Sequence, residues 1–339
     1  MRIEIITTRH WKGDARLNRH AEYLAAAGHV VTIESFHDRG RVGSIAAATR
    51  SIVGSRAEVV LLPDPEFFAI GSIGARLSGK RSVIDIHEDY ASVAQNRAWI
   101  PQLLKPVVTL LTRVMVTLGR LLAWQVMVAA PQLARPGDHI VLNVADPSTL
   151  SWVSSHKDPG LLVYVGDITI ARGAIEMVQS LAALPERHHL LLIGPISDTT
   201  RTQVLDEADD LGVLHRLELA GRLDHEEAWR VASGAQFGLS LLQDTPAYRD
   251  AVATKLWEYI ACGLIPVVSD LPGQAAFVSK LDPRLVCPGP RDVAEVISSL
   301  ARDEDKTRDL SLRAREMARN EWDEARPDKR IQAVFSPVR

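Results

Sequence analysis

The sequence predicts an α/β protein made of two consecutive halves of similar size, and three observations carry that prediction. Short apolar runs bounded by polar turns alternate with helical patterns from the first residues onward. A polar crossing at 143–159, with two prolines and several serines, interrupts the alternation, which then restarts. Finally, the stretch TKLWEYIACGLIPVVSDLPG (254–273) runs a helix directly into an apolar strand, as a buried parallel sheet requires.

In the first half, Ile3–Ile6 is a strand, Asp14 to Ala27 a helix closed by Gly28-His29, and Val30–Ile33 the next strand. Val59–Leu62 is a third strand, ending in PDPE (63–66), and Ser82–Ile86 a fourth, ending in HEDY (87–90). Polar residues thus collect after the carboxyl ends of strands, where open parallel sheets bind ligands. Leu103 to Ala130 reads as mostly helical, with Pro106 an early break. In the second half, Leu161–Val165 is a strand and GDITIARG (166–173) a turn feeding a helix from 174 to 184. Strands follow at His189–Ile193, Leu217–Leu219 and Phe237–Leu241, with helices at 200–212 and His225–Ala232. Residues 291–317 are helical and charged, and a last helix is expected from Asn320 to Phe335. These elements give units at 1–150 and 151–319, followed by a terminal segment at 320–339.

The 339 residues suit two domains, and 46% apolar with 24% charged residues excludes disorder. Cys262 and Cys287 lie on apolar segments, which predicts a reducing, cytoplasmic setting rather than a disulfide framework. Met1 leads straight into the first strand, so no signal peptide is expected. The net charge of −3 is unevenly spread: residues 1–150 hold 17 Lys and Arg against 13 Asp and Glu, the remainder 22 against 29. That asymmetry points the first half toward something anionic. Between Tyr90 and Gly137 there is no carboxylate, while Arg97, Lys105, Arg113, Arg120 and Arg135 are present and Trp99 and Trp124 lie near the helix ends. Such a helix either packs in the core with basic residues at its rim, the commoner fate, or lies on an anionic membrane surface through 97–135.

Thr254 is placed to cap its helix, Lys255 to open it and Gly263 to end it in a left-handed conformation. A lysine in a first turn opposes the helix dipole unless an anion sits there. Arg172-Gly173 also opens a helix after a strand, where glycine admits a phosphate and arginine grips it with two N–H groups. Two cations at helix starts in one α/β half suit a diphosphate. Neither a dinucleotide glycine fingerprint nor a P-loop is present. Asp250 and Glu258 supply carboxylates able to accept sugar hydroxyls. On spacing alone, Lys255 with Glu258 equally describes a surface ion pair, and Asp250 with Glu258 two solvated carboxylates.

TKLWEYIACGLIPVV (254–268) resembles the donor motif KLFEYMAAGLPVV of the retaining, nucleotide-sugar-dependent glycosyltransferases of family four. YVG (164–166) with Arg172-Gly173, the Asp64-Pro65 segment, DIHEDY (85–90), and DAR (14–16) with AGHVV (27–31) extend the likeness over nearly the whole chain. The resemblance implies the GT-B fold: two facing Rossmann-like domains, a central cleft closed by a hinge, and a C-terminal helix around Trp322 crossing back to the first domain. It implies sugar transfer with retention, from a nucleoside diphosphate sugar to a saccharide, lipid-linked or small-molecule acceptor, with no metal or other cofactor and no nucleic acid.

Carried onto this sequence, the resemblance gives Arg172 and Lys255 the diphosphate and Glu258 the ribose. Asp250 and His87 take the donor sugar. Gly166 and Gly173 lie along the donor, and Gly194 with Arg222 and Leu223 receives the base. Asp14, Arg16, Asp64 and Glu88 fall on the acceptor side. The chain departs from the family at Asp167, where many members carry a phosphate-binding arginine, at Asp250, one methylene shorter than glutamate, and at HWKG (10–13), where a Gly-Gly turn is usual. A nucleotide-sugar epimerase or hydrolase of the same build, or a non-catalytic nucleotide-sugar-binding subunit, are the competing expectations.

Overall fold

The computed structural model describes residues 1–96, 100–144, 146–149, 154 and 156–336. Arg97 and Trp99 of the basic stretch, part of the polar crossing, and the expected boundary at 150–151 lie outside the described residues. The chain divides into two units, Met1–Asn143 with Ala325–Arg339, and Val144–Glu324.

The first unit runs β1 (Arg2–Thr7), α1 (Ala15–Ala26), β2 (Val30–Ser35), α2 (Gly40–Gly54), β3 (Val59–Leu62), α3 (Phe68–Leu77), β4 (Arg81–Ile86), α4 (Tyr90–Asn96), α5 (Lys105–Leu122), β5 (Gln125–Val128) and β6 (His139–Ile140). Its strands are all parallel in the order β2-β1-β3-β4-β5-β6. β3 is buried along its whole length, as a strand covered on both faces must be. Asp14 caps α1 by accepting from the backbone N–H groups of Arg16 and Leu17. The strand order reverses between β1 and β3, so the first unit's binding edge lies beyond Thr7 and Leu62.

Two expectations for the basic stretch are corrected. The helical reading to Ala130 is too long, because β5 occupies Gln125–Val128; Pro106 begins α5 rather than breaking it, its missing N–H falling where the first turn has no acceptor. Nor is α5 a core helix. Only Thr109 and Gly119 are buried, Gly119 being pressed so close to Phe68 that a Cβ would lie 2.5 Å from that side chain.

The second unit runs β7 (Asp158–Val165), α6 (Ala174–Ala182), β8 (His189–Ile193), α7 (Asp198–Asp210), β9 (Leu217–Gly221), α8 (His225–Ala232), β10 (Ala235–Ser240), α9 (Lys255–Ala261), β11 (Ile265–Ser269), α10 (Pro272–Val278), β12 (Val286–Cys287), α11 (Pro290–Leu300) and α12 (Glu304–Ala325). Its parallel sheet has the order β12-β11-β10-β7-β8-β9, a Rossmann arrangement whose reversal falls between β7 and β10. A continuous core from Leu162 to Ala318 fills the space around the sheet.

The chain does not enter its last helix at Asn320. α12 runs to Ala325, Arg326 takes a left-handed conformation (φ 37°), and α13 (Pro327–Phe335) follows. Pro327 dictates the break, since its ring excludes helical backbone at the residue before it. α13 packs on α1, and Ile331, Val334 and Phe335 are fully buried in the first unit's core beside Ile3, Leu17 and Val83.

Candidate active site

In the second unit the site grows from the ends of β7, β8 and β10. Gly166 follows β7 at φ 134° and Gly194 follows β8 at φ 149°; a Cβ on Gly194 would lie 1.9 Å from the Gly166 carbonyl oxygen. Only glycine permits that approach. Gly173, at φ 84°, packs equally tightly on the backbone of Leu241 just after β10. This glycine-to-backbone packing brings Arg172 and Lys255 to one place. A Cβ on Gly166 would lie 3.4 Å from Lys255 Nζ, 3.5 Å from the Tyr164 hydroxyl and 3.7 Å from Arg172 Nη1. Two cations therefore converge above one glycine.

Lys255 Nζ lies 3.4 Å from the centre of the Tyr164 ring, is out of contact with solvent, and makes no hydrogen bond among the described residues. Burial, and then the charge of Arg172, push its pKa well below the usual lysine value. Burial likewise pushes the Tyr164 phenol up to about 12, so the ring under the ammonium stays neutral; its hydroxyl donates to the Asp167 carbonyl at 2.8 Å. Arg172 meets the Tyr248 hydroxyl at 3.5 Å and the exposed Asp167 carboxylate at 3.6 Å, both loose contacts. Asp167 thus leans toward Arg172 without closing a tight pair.

Thr254 does not cap α9. Its own backbone is helical (φ −50°, ψ −37°) and its side chain makes no capping bond, so the helical conformation begins at Thr254 itself. Gly263 does end the helix, at φ 70°. Glu258 is buried and shares a 2.9 Å hydrogen bond with His225 Nε2. Asp250 is exposed in the turn before α9, with Gly273 packed against its backbone. Arg222 and Leu223 follow Gly221, whose carbonyl accepts from the Gly194 N–H. The residues selected in this half thus occupy the strand ends around β7, β8 and β9 or the loop and first turn of α9.

In the first unit the selected residues surround the β1–β3 reversal. Asp64, 1% exposed, accepts from the Thr7 hydroxyl and the Thr8 N–H at 2.7 Å each, tying the two strand ends together. His10 bridges Asp14 at 3.0 Å and Asp64 at 3.4 Å. Burial opposes charge on Asp14, but the His10 bond and the cap bonds outweigh it and bring its pKa down to about 2. Arg16 turns inward rather than toward an acceptor. Its Nε and Nη2 donate to the fully buried Asp85 at 2.8 and 2.6 Å, because a carboxylate in the core must be paired. His20 and His87 each lie 3.7 Å from the same carboxylate, and the His87 ring stands edge-on to His10 and Tyr90. Burial, and then Arg16, hold His20 down to about 3, so it stays neutral. Glu88 is exposed beyond β4.

The sequence gives no means of selecting His10, His20, Tyr164, Tyr248 or His225 as site residues. Tyr164 and Asp85 sit inside motifs already singled out, whereas His225 is an ordinary first residue of a helix until the fold sets it beside Glu258. Among the described residues, no group of three or more His, Cys, Asp and Glu side chains is arranged to hold a metal ion.

A protein-family model described as glycosyl transferase-like matches residues 172–334. Among solved structures, Anabaena HepE in complex with UDP-glucose is similar over 100% of both chains, with a TM-score of 0.75 at 14% identity. WaaG, a glycosyltransferase involved in lipopolysaccharide biosynthesis, aligns over 99% of this chain and 100% of its own, with a TM-score of 0.63 at 16% identity. An Escherichia coli protein bound with UDP-2-fluoro glucose aligns over 98% of each chain, with a TM-score of 0.68 at 12% identity. A search of curated proteins finds no significant match. With two parallel six-stranded sheets and this full-length likeness, the fold is GT-B.

Proposed function

We propose that this protein is a glycosyltransferase that moves a hexosyl group from a nucleoside diphosphate sugar to a hydroxyl acceptor with retention of anomeric configuration. The observation that carries the reading is the unpartnered, solvent-shielded Lys255 ammonium converging with Arg172 above Gly166. Two like charges held together, offset by a loose 3.6 Å contact between Arg172 and the exposed Asp167, are costly, and a diphosphate relieves that cost. The family match over 172–334 includes Arg172 and Lys255, and structural neighbours were solved with UDP or UDP-sugars.

In this reading Arg172 and Lys255 bind the diphosphate and stabilise the charge that builds on it as the bond from the anomeric carbon to the phosphate oxygen breaks. The new bond forms on the same face from the acceptor hydroxyl, whose proton passes to the departing phosphate. The two cations supply the neutralisation that a divalent metal would otherwise provide. Glu258, oriented by His225, accepts from the ribose hydroxyls, and the base lies along Gly194, Arg222 and Leu223. Asp250 and His87 serve the donor sugar, and Asp14, Asp64 and Glu88 shape the acceptor side, with Arg16 positioning Asp85 and His87. The two free, buried cysteines support a reducing, cytoplasmic setting in this reading.

Calorimetry with UDP, GDP, ADP, TDP and CDP, followed by their sugars, tests the reading. One nucleotide is expected to bind, and Lys255→Ala and Glu258→Ala each weaken it by about 1.5–3 kcal/mol, the worth of a hydrogen bond to a charged group. Unchanged affinity in Lys255→Ala, or no binding by any nucleotide, contradicts the proposal.

A further inference from the structure

Helix α5 presents a face that none of the described residues covers. Leu103, Leu104, Val107, Leu110, Leu111, Val114, Leu118 and Leu121 are all exposed, Leu103 at 91% and Leu121 at 76%. Those within the helix recur at three- and four-residue steps, so they form one apolar stripe opposite Thr109 and Gly119. A stripe of this extent on a surface helix marks a docking site.

We infer that α5 docks the protein on an anionic lipid surface, lying in the plane of the interface. Charge selects this occupant. The only charged side chains from 91 to 137 are cations; Arg113 flanks the stripe and Lys105 stands at its start, while Arg120 is tied to Asp138 and the Leu133 carbonyl. An apolar stripe with the exposed Arg113 at its edge and no carboxylate on the stretch fits acyl chains beneath anionic headgroups. A two-fold pairing of α5 with a second copy would bring two such cationic edges together, and the stretch holds no carboxylate to answer them.

The helix lies on the surface rather than spanning it. Gln102–Leu122 is long and apolar enough to cross a membrane. However, α5 connects β4 to β5, which pair in parallel, so it must run back alongside the sheet. Its Gly119 side is fixed against Phe68.

Sedimentation of the full chain with phosphatidylcholine vesicles, with and without phosphatidylglycerol, tests the inference without any sugar transfer. It therefore stands or falls separately from the nucleotide-sugar reading. Binding is expected only with phosphatidylglycerol and weakens as salt rises. Arg113→Ala should lower partitioning about fivefold, the effect of one basic residue near the surface. Leu110→Asp with Leu118→Asp should lower it by about tenfold or more, through lost apolar burial. An environment-sensitive dye on Leu110→Cys, within the stripe, should shift to the blue with the same lipid dependence, which reports insertion directly. Failure to bind anionic vesicles at low salt, a dye that does not respond, or a lipid-free dimer abolished by the double substitution would each overturn the proposal.

Discussion

Lys255 shows how a single side chain can be unfavourable for the fold and still be required by the ligand. Its ammonium is shielded from water, lacks a hydrogen-bond partner and faces Arg172. Because its folded-state pKa is depressed, the unfolded chain binds more protons between that lowered value and 10.5. The penalty is therefore fully present below the lowered value, declines as pH rises through the window, and vanishes above 10.5. Lys255→Met keeps the length and removes the charge. It is expected to raise the melting temperature of the ligand-free protein at neutral pH by about 2–4 °C per kcal/mol relieved, with the gain disappearing in strongly alkaline buffer. Differential scanning calorimetry across pH measures this, and a destabilised variant at neutral pH would contradict the charge argument.

At the scale of elements, the site depends on turns that press backbone against backbone. Gly173 joins the turn after β7 to α6 while touching Leu241 after β10, across the point where strand order reverses. Gly173→Ala must relieve a 1.9 Å overlap with a carbonyl oxygen at a left-handed φ. It is expected to destabilise by about 1–3 kcal/mol and, by moving Arg172, to weaken nucleotide binding. Urea titration and calorimetry read the two effects, and a variant with parental stability and affinity would show that the packing is slack. The alternation of strand and helix was legible because burial writes itself into apolar runs, as in Val59–Leu62 and Ile265–Val268. Lys255 and Arg172 were legible as a pair because each opens a helix. The helices α2 and α3 were not, since alanine- and glycine-rich segments such as Gly40–Gly54 carry little periodic signal. The fate of α5 was not legible either: an apolar face looks the same in sequence whether a neighbour covers it or none does. The pairing of Arg16 with Asp85 was not legible, because the two lie 69 residues apart.

At the scale of the molecule, the first unit is not a single stretch of chain, whereas the second is. The first unit takes its last helix from beyond the second, and α13 gives it three fully buried side chains. Phe335→Ala is expected to cost about 3–5 kcal/mol by opening a cavity beside Leu17 and Val83. The nucleotide affinity of the second unit should not change, since the substituted residue contributes to a separate core. Chemical denaturation and nucleotide calorimetry together check this, and loss of both would mean that the two cores are coupled.

The shared core also sets an order of events on the ribosome. When residues 1–143 have emerged, the slot for Ile331, Val334 and Phe335 is still empty, and the residues that fill it have not been made. At about 5–20 residues per second, the intervening segment takes about 10–40 s to synthesise. During that time the second unit has its entire sequence available before the first does. The unit that begins the chain is thus the one that finishes folding last, and its nascent form carries a vacant apolar slot through most of translation.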